Sequence, residues 1–302
     1  MREWLKKNRT TLLLVLTGAV GLGLLLYPTF SDWWNSFHQS RAVASYMEAV
    51  ADMDKEDYDA ILAEADAYNQ RLAKIGAQWM MTDKQKAEYE KQLNVNATGI
   101  MGYISIPKIH VELPVYHGID ESILQIAIGH LEGTSLPVGG PSTHCSVSGH
   151  RGLPSARLFS DLDKMIEGDT FTLTVLNRTI TYQVDQIRVV EPTDLSDLQI
   201  KKGKDLCTLV TCTPYGINTH RLLVRGHRVA NAQGDALVTA DAMQIEAIFI
   251  APFFAIPILI LLVLLMLNRT GVTQRSNRAV RRAWREYGVG EGRAKKKKKK
   301  KQ

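Results

Sequence analysis

The stretch TLVTCTPYGINTHRLLVRGHRV, residues 208–229, places a cysteine where a run of β-forming residues meets a polar loop. We expect a β-hairpin whose first strand ends at Cys212 and whose second strand begins at Arg221, with the loop Thr213–His220 between them. Arg221 would then return to the end of the sheet at which Cys212 lies. This pair indicates nucleophilic catalysis, because the fork of an arginine can hold a carbonyl oxygen as negative charge develops on it.

A proton carrier for this cysteine must come from one of eight histidines. We favour His150, because SVSGHRG ends a strand with glycines near the histidine on both sides and so leaves a slim, accessible rim. A loop histidine that bonds only to backbone groups is the alternative. His220 and His227 are rivals by sequence proximity, but His227 would lie about 20 Å further along an extended strand. Most of the others have structural explanations, since His38 lies beside an apolar segment and three are expected in loops: His117, His130 and His144.

Two uncharged apolar segments flank the rest of the chain. They read TTLLLVLTGAVGLGLLLYPTF, residues 10–30, and AIFIAPFFAIPILILLVLLML, residues 247–267. Each is long enough to cross ~30 Å of hydrocarbon as a helix. A cleaved signal peptide is the alternative for the first segment, but no small-residue cleavage site precedes SDWWNSF. We therefore expect a retained membrane anchor.

The charges around these two segments orient the chain. Arg2, Lys6, Lys7 and Arg9 precede the first segment, and the tail after the second ends in lysines 295–301. The whole chain carries a formal charge of only +6, so the region between the segments is acidic. By the positive-inside rule both termini are cytoplasmic and the central region is extracellular. Nucleic-acid binding is therefore not indicated, and the lysine run either sets topology or attracts anionic lipids.

The hydrophobic pattern of the central region changes near residue 98, from helical spacing to short strands. Apolar residues recur at helical spacing from His38 to Leu93, which predicts amphipathic helices packed on the β-rich region. Short strands separated by turns then predict one β-barrel or sandwich. The expected organisation is a cytoplasmic N-terminus (1–9), a transmembrane helix (10–30), a helical arm (31–98), a catalytic β domain (99–232), a linker (233–246), a second transmembrane helix (247–267) and a basic cytoplasmic tail (268–302).

Three features together resemble the sortases, the cysteine transpeptidases of Gram-positive bacteria: TLVTC closing a strand, an arginine nine residues on, and the upstream SGHRGLPSARLF. The likeness extends from GYISIPKI to LVTCTPYGINTHRLLVRGHR and covers the whole β-rich region. The long helical arm and the second apolar segment are similar to the pilin-polymerising class C. The resemblance implies a mainly β fold with an eight-stranded sortase barrel, and it implies that the catalytic residues are Cys212, His150 and Arg221.

The resemblance also implies a substrate and partners. Cys212 would attack the threonine carbonyl of an LPXTG-like sorting signal, and a lysine of the next pilin subunit would resolve the thioester as an isopeptide bond. We expect pilin subunits and membrane lipids as partners, no cofactor and no metal site. Thr211, next to the nucleophile, is expected to shape the substrate groove. The loop HLEGTSLPVGG is expected to do the same through Leu131, Glu132 and Gly133, although a plain surface turn is the alternative for this loop.

Two other functions stay open at this point. One is a housekeeping sortase that joins proteins to peptidoglycan, and the second apolar segment and the helical arm argue against it. The other is an inactive, membrane-anchored scaffold that only binds pilins. The presence of Cys212, His150 and Arg221 argues against the scaffold.

The remaining cysteines form a matched pair in sequence. Cys145 precedes His150 by five residues, and Cys207 precedes Cys212 by five. If their strands are parallel neighbours, the two thiols lie at matching heights. We expect two buried thiols, because side-by-side strand cysteines rarely meet disulfide geometry.

Class C sortases usually carry a lid over the groove, with an Asp-Pro-aromatic tip. The matching stretch here is KIGAQWMMTDKQKAEYEKQLN, in which Trp79 supplies the aromatic ring but the aspartate and proline are missing. Without the carboxylate the tip cannot pair with Arg221, and without the proline it is less rigid. We therefore expect a weakly held lid that opens readily.

Overall fold

The computed structural model describes residues 9–95, 97–231, 279–280 and 282. These residues belong to two units: one contains the start of the first helix up to Gly21, and the other begins at Leu22 and contains all the strands named below. The expected second transmembrane helix, residues 247–267, lies outside the described residues.

The helices and strands follow the order expected from the change in hydrophobic pattern. The helices are α1 (Arg9–Ala51), α2 (Lys55–Ile75), α3 (Asp83–Tyr89) and the short α4 (Glu121–Leu124). The strands are β1 (Ile100–Ile106), β2 (Val111–His117), β3 (Ile128–His130), β4 (Thr143–Ser148), β5 (Thr170–Val175), β6 (Arg178–Val190), β7 (Asp205–Thr213) and β8 (His220–Val229).

The eight strands close into a barrel in the order β1-β2-β3-β4-β7-β8-β6-β5, which confirms the expected barrel. The β2–β3 and β4–β7 pairs are parallel, and the other pairs are antiparallel. Alternate residues of each strand face the interior. On β7, for example, Cys207 and Leu209 belong to the apolar core, whereas Val210 belongs to a separate cluster on the outer face.

The helical arm packs on the barrel through a second apolar cluster, as the helical spacing predicts. On α2 an apolar stripe that includes Leu62, Ala65 and Leu72 is buried, since these residues lie on one face of the helix. The buried Tyr46 of α1 joins the same cluster, and its hydroxyl donates to the backbone oxygen of Met101 at 3.1 Å. The arm is therefore fixed to the β1 side of the barrel along much of its length.

The first apolar segment lies in α1, which begins at Arg9. Among the described residues, one stretch of helix is long and apolar enough to cross a membrane, and it spans Leu13–Ala51. Most of the apolar side chains of residues 13–30 are exposed. This fits the expected membrane anchor by length and composition.

Three histidines expected in loops are instead parts of strands. His117 ends β2, His130 ends β3, and His144 lies in β4. The prediction was wrong because β3 has only three residues, too few to show an alternating pattern, and because β4 begins one residue before His144.

Candidate active site

The β7–β8 hairpin brings the candidate nucleophile and the candidate arginine together. In its register Cys212 lies opposite Arg221, and Thr213 lies opposite His220. The strands are antiparallel, so the nine-residue spacing in sequence becomes direct pairing at one rim of the barrel. The hairpin expected from the sequence is confirmed.

The parallel pairing of β4 and β7 carries His150 to the same rim. Ser148 lies opposite Val210, and the next residue, Gly149, donates its backbone N–H to the Val210 oxygen at 3.1 Å. His150 therefore reaches the level of Cys212, which lies two residues beyond Val210. Parallel strands end at the same edge of a sheet, and this property places the histidine beside the cysteine.

Gly149 is required at this turn because the backbone runs close to an aromatic ring. A Cβ added there would lie 2.8 Å from the Phe159 ring, which is closer than real Cβ atoms approach. Phe159 is fully buried, and its N–H donates to the His150 oxygen at 3.1 Å. Residues 150–159 thus form a closed loop, whose two ends are joined by this backbone bond at His150.

Arg151 joins this loop to the end of the nucleophile strand, a role that no sequence pattern indicated. Its Nη2 donates to Asp163 at 2.5 Å, its Nη1 lies 3.5 Å from the Thr213 hydroxyl, and its guanidinium lies 5.8 Å from the centre of the Tyr215 ring. The side chain is only 9% exposed. It therefore cross-links the two segments that carry His150 and Cys212.

Glu121 is a second residue that sequence reasoning missed. It begins α4, and its Oε2 lies 3.4 Å from His150 Nε2, while its other oxygen accepts from Gln125 Nε2 at 3.2 Å. The hydrogen bond from Gln125 and then the neighbouring His150 hold the pKa of the Glu121 carboxyl below its usual value. The ionised carboxylate can orient the His150 ring by accepting a hydrogen bond from Nε2.

Arg221 keeps part of its donor fork available. Its Nη1 donates to the backbone oxygens of His220 at 3.2 Å and Asn218 at 3.4 Å. Within the described parts of the chain, Nε and Nη2 have no protein acceptor. The loop thus holds the guanidinium at one nitrogen, and the others can bind a substrate oxygen.

The outer face of β7 carries an apolar cluster next to Cys212. Val210 of this face packs with Val190, Leu198 and Leu223, and Trp79 and Leu131 pack against them. Cys212 is the next residue on the same face, since side chains alternate along a strand. Trp79, the expected lid residue, therefore packs on the apolar surface that leads to the nucleophile.

The lid is also bound at its backbone to the loop predicted to shape the groove. The Gln78 N–H donates to the Gly133 oxygen at 2.9 Å, and a Cβ at Gly133 would collide with the Gln78 oxygen. Lys86 of α3 pairs with Glu132 at 3.3 Å. This loop accordingly makes specific contacts with the arm, unlike a plain surface turn.

Thr211 does not face the groove. Its side chain is 1% exposed, and its hydroxyl donates to the Gly149 oxygen at 2.8 Å. The alternation along β7 turns it to the interior, because its neighbour Cys212 faces out. In this structure Thr211 holds the turn before His150 and does not line the substrate path, which corrects its expected position.

The rival histidines are engaged elsewhere. His220 lies at the rim but pairs with Glu191 at 3.2 Å, and His227 lies further along β8 opposite Leu206. Burial lowers the pKa of His144 to about 4, so this imidazole is neutral at physiological pH. The register of β4 and β7 brings His150 to the level of Cys212, whereas His220 lies opposite Thr213 and the alternation along β8 turns its side chain to the other face from Cys212.

The other two cysteines lie side by side in the core below the site. Cys145 is opposite Cys207 in the parallel β4–β7 pair, and both are buried, free thiols. Burial raises the pKa of Cys207 well above its usual value, and a hydrogen bond with Cys145 adds to this. The structure agrees with two unbridged thiols behind the active site.

Comparison with known proteins places this arrangement in one family. The sortase domain model matches residues 104–229. Sortase C1 from Streptococcus agalactiae is 61% identical, with a TM-score of 0.63, and the match covers 63% of this chain and 99% of that structure. Sortase C from Streptococcus pneumoniae is 46% identical, with a TM-score of 0.58, and the match covers 63% and 97%.

A third similar structure is sortase C from Clostridium perfringens, solved with the C-terminal cell wall sorting motif. It is 41% identical with a TM-score of 0.57, and the match covers 64% of this chain and all of that structure, 100%. The fold and the level of identity agree with the resemblance seen in the sequence motifs. The chain belongs to the sortase family of cysteine transpeptidases, and within it to class C.

Proposed function

We propose that this chain polymerises pilins at the outer face of the cell membrane. It would cleave an LPXTG-like sorting signal and join the new end to a lysine side chain of the next subunit. The observation that carries the proposal is the single rim shared by Cys212, Arg221 and His150 in a chain 61% identical to a sortase C1. The Streptococcus pneumoniae sortase C was studied for pilin substrate specificity, which supports the same substrate class.

The first half-reaction forms the acyl-enzyme. The Cys212 thiolate attacks the carbonyl carbon of the signal's threonine, and a C–S bond forms. Arg221 donates its free N–H groups to the developing oxyanion. The C–N bond to the following glycine breaks as the His150 imidazolium gives its proton to the leaving amine.

The second half-reaction transfers the acyl group to an amine. A lysine Nζ of the next pilin attacks the thioester, a C–N bond forms and the C–S bond breaks. The proton lost by the attacking nitrogen passes to His150, which restores the thiolate and the imidazolium. Glu121 orients the His150 ring in both half-reactions, since its carboxylate lies 3.4 Å from Nε2.

Membrane anchoring serves this chemistry directly. We propose that residues 10–30 and 247–267 are both retained spans, that both termini are cytoplasmic and that the barrel is extracellular. Pilins that await assembly are held in the same membrane, so tethering raises the effective concentration of both substrates. The lysines 295–301 would add attraction to anionic lipids of the inner leaflet.

The test is to incubate the full-length chain in lipid nanodiscs with a sorting-signal peptide and a pilin that carries an acceptor lysine. We expect a ladder of covalent multimers that the Cys212→Ala variant does not form. Cleavage with transfer to small wall-like amines, but no ladder, would support a housekeeping sortase instead. Thioester formation is monitored by the intact mass of the enzyme, and its complete absence would support a binding scaffold.

A further inference from the structure

The end of the apolar part of α1 carries a stripe of exposed aromatic residues on one face. Phe30, Trp33, Trp34 and Phe37 are 61%, 40%, 51% and 46% exposed, and they occupy about two turns. Residues 10–30 span about 31 Å as a helix, close to the ~30 Å hydrocarbon thickness, and the first acidic residue after them is Asp32. Tryptophan is enriched where helices leave the bilayer, so this aromatic stripe marks the membrane–water interface.

Polar side chains in the same two turns bind α1 to the barrel. Asn35 donates from Nδ2 to the Ser155 oxygen at 2.8 Å, and Gln39 donates from Nε2 to the Ile126 oxygen at 2.7 Å. Asp32 accepts from the Arg157 N–H at 2.7 Å. The three polar residues recur at helical spacing and share one face of α1. The helix therefore holds the barrel at the level of the aromatic stripe.

Both bound segments flank the active site. Ser155 lies five residues after His150, inside the loop that the Phe159 N–H closes on the His150 oxygen. Ile126 lies five residues after Glu121, the carboxylate partner of His150. Five residues reach at most about 17 Å, so His150 lies within that distance of the α1 contacts.

The nucleophile strand has two well-separated ends. Asp205 begins β7 seven residues before Cys212, which corresponds to about 24 Å of extended strand. The side-chain bonds from Asp32, Asn35 and Gln39 reach loops that flank the catalytic end.

We propose that the rim carrying Cys212, His150 and Arg221 faces the outer surface of the lipid bilayer, with the loops around Ile126 and Arg157 resting on the headgroups. Ile126 is 49% exposed, and the cationic Arg157 and Lys164 share the single carboxylate of Asp161. Arg157 and Lys164 are 59% and 63% exposed, and an exposed apolar side chain together with long cationic side chains suits the membrane–water interface.

Fluorescence quenching in nanodiscs tests the orientation without any substrate. A bimane probe is attached at Ile126→Cys, Arg157→Cys or Lys202→Cys in the full-length Cys212→Ala chain, where Cys145 and Cys207 are too buried to react. The bilayer contains anionic lipid and lipids with a nitroxide on the headgroup. We expect several-fold stronger quenching at 126 and 157 than at 202. Equal quenching at all three sites, or the strongest quenching at 202, would overturn the proposal.

A second variant tests whether the contacts with α1 keep the catalytic rim close to the bilayer. Asn35→Ala combined with Gln39→Ala should leave α1 inserted but reduce quenching at residue 157 by at least about two-fold, since two of the three side-chain bonds are lost. Unchanged quenching would show that these contacts do not set the height of the barrel and would refute that step.

Discussion

Replacement of Trp79 by alanine measures how firmly the lid is held. The ring is half-buried against the outer-face cluster that leads to Cys212, and one backbone bond from Gln78 to Gly133 accompanies it. Full burial of a large side chain contributes about 2 kcal/mol, so half of this, about 1 kcal/mol, is lost in Trp79→Ala. If the lid must open before a reagent reaches Cys212, the variant should be alkylated about five-fold faster.

The assay is alkylation of Cys212 by iodoacetamide, followed by intact mass. Cys145 and Cys207 are 2% and 0% exposed, so the signal reports a single thiol. Met80→Ala is the matched control, because this neighbouring side chain is 90% exposed and should leave the rate unchanged. A wild type that resists the reagent, together with a variant that reacts more than a hundred-fold faster, would show a tight lid and refute the reasoning.

Three further predictions concern the site and the core. Arg221→Lys should lower the rate of thioester formation at least a hundred-fold, because a point charge cannot reproduce the fork of donors, and near-normal turnover would make Arg221 structural. Glu121→Gln should lower the rate of thioester formation several-fold, since the carboxylate that orients the His150 ring is lost, whereas Gln125→Ala keeps that carboxylate and should change the rate less; a wild-type rate in Glu121→Gln would show that the contact has no catalytic role. Thiol counting on denatured, unreduced protein should give three free groups, and a count of one would mean that Cys145 and Cys207 are bridged.

Much of the site could be predicted from the sequence because it rests on local pairing. A cysteine and an arginine at the two sides of one short loop meet whenever their strands form a hairpin, and this required no knowledge of the rest of the fold. The parallel placement of Cys145 and Cys207 followed from equal five-residue offsets to His150 and Cys212. The position of Thr211 could have been predicted as well, since strictly alternating side chains turn it away from its neighbour.

The remaining contacts join segments far apart in sequence, and only closure of the barrel decided them. Glu121 meets His150 because β3 pairs with β4, and Arg151 reaches Thr213 because β4 runs parallel to β7. Likewise Asn35 reaches Ser155 across 120 residues of chain. Sequence periodicity reports which face of an element is apolar, but it carries no information on which other element that face will meet. The sequence by itself therefore determined the hairpin and its chemistry. The tertiary structure determined the partners of the histidine, the surface on which the lid packs and the loops of the barrel that α1 contacts.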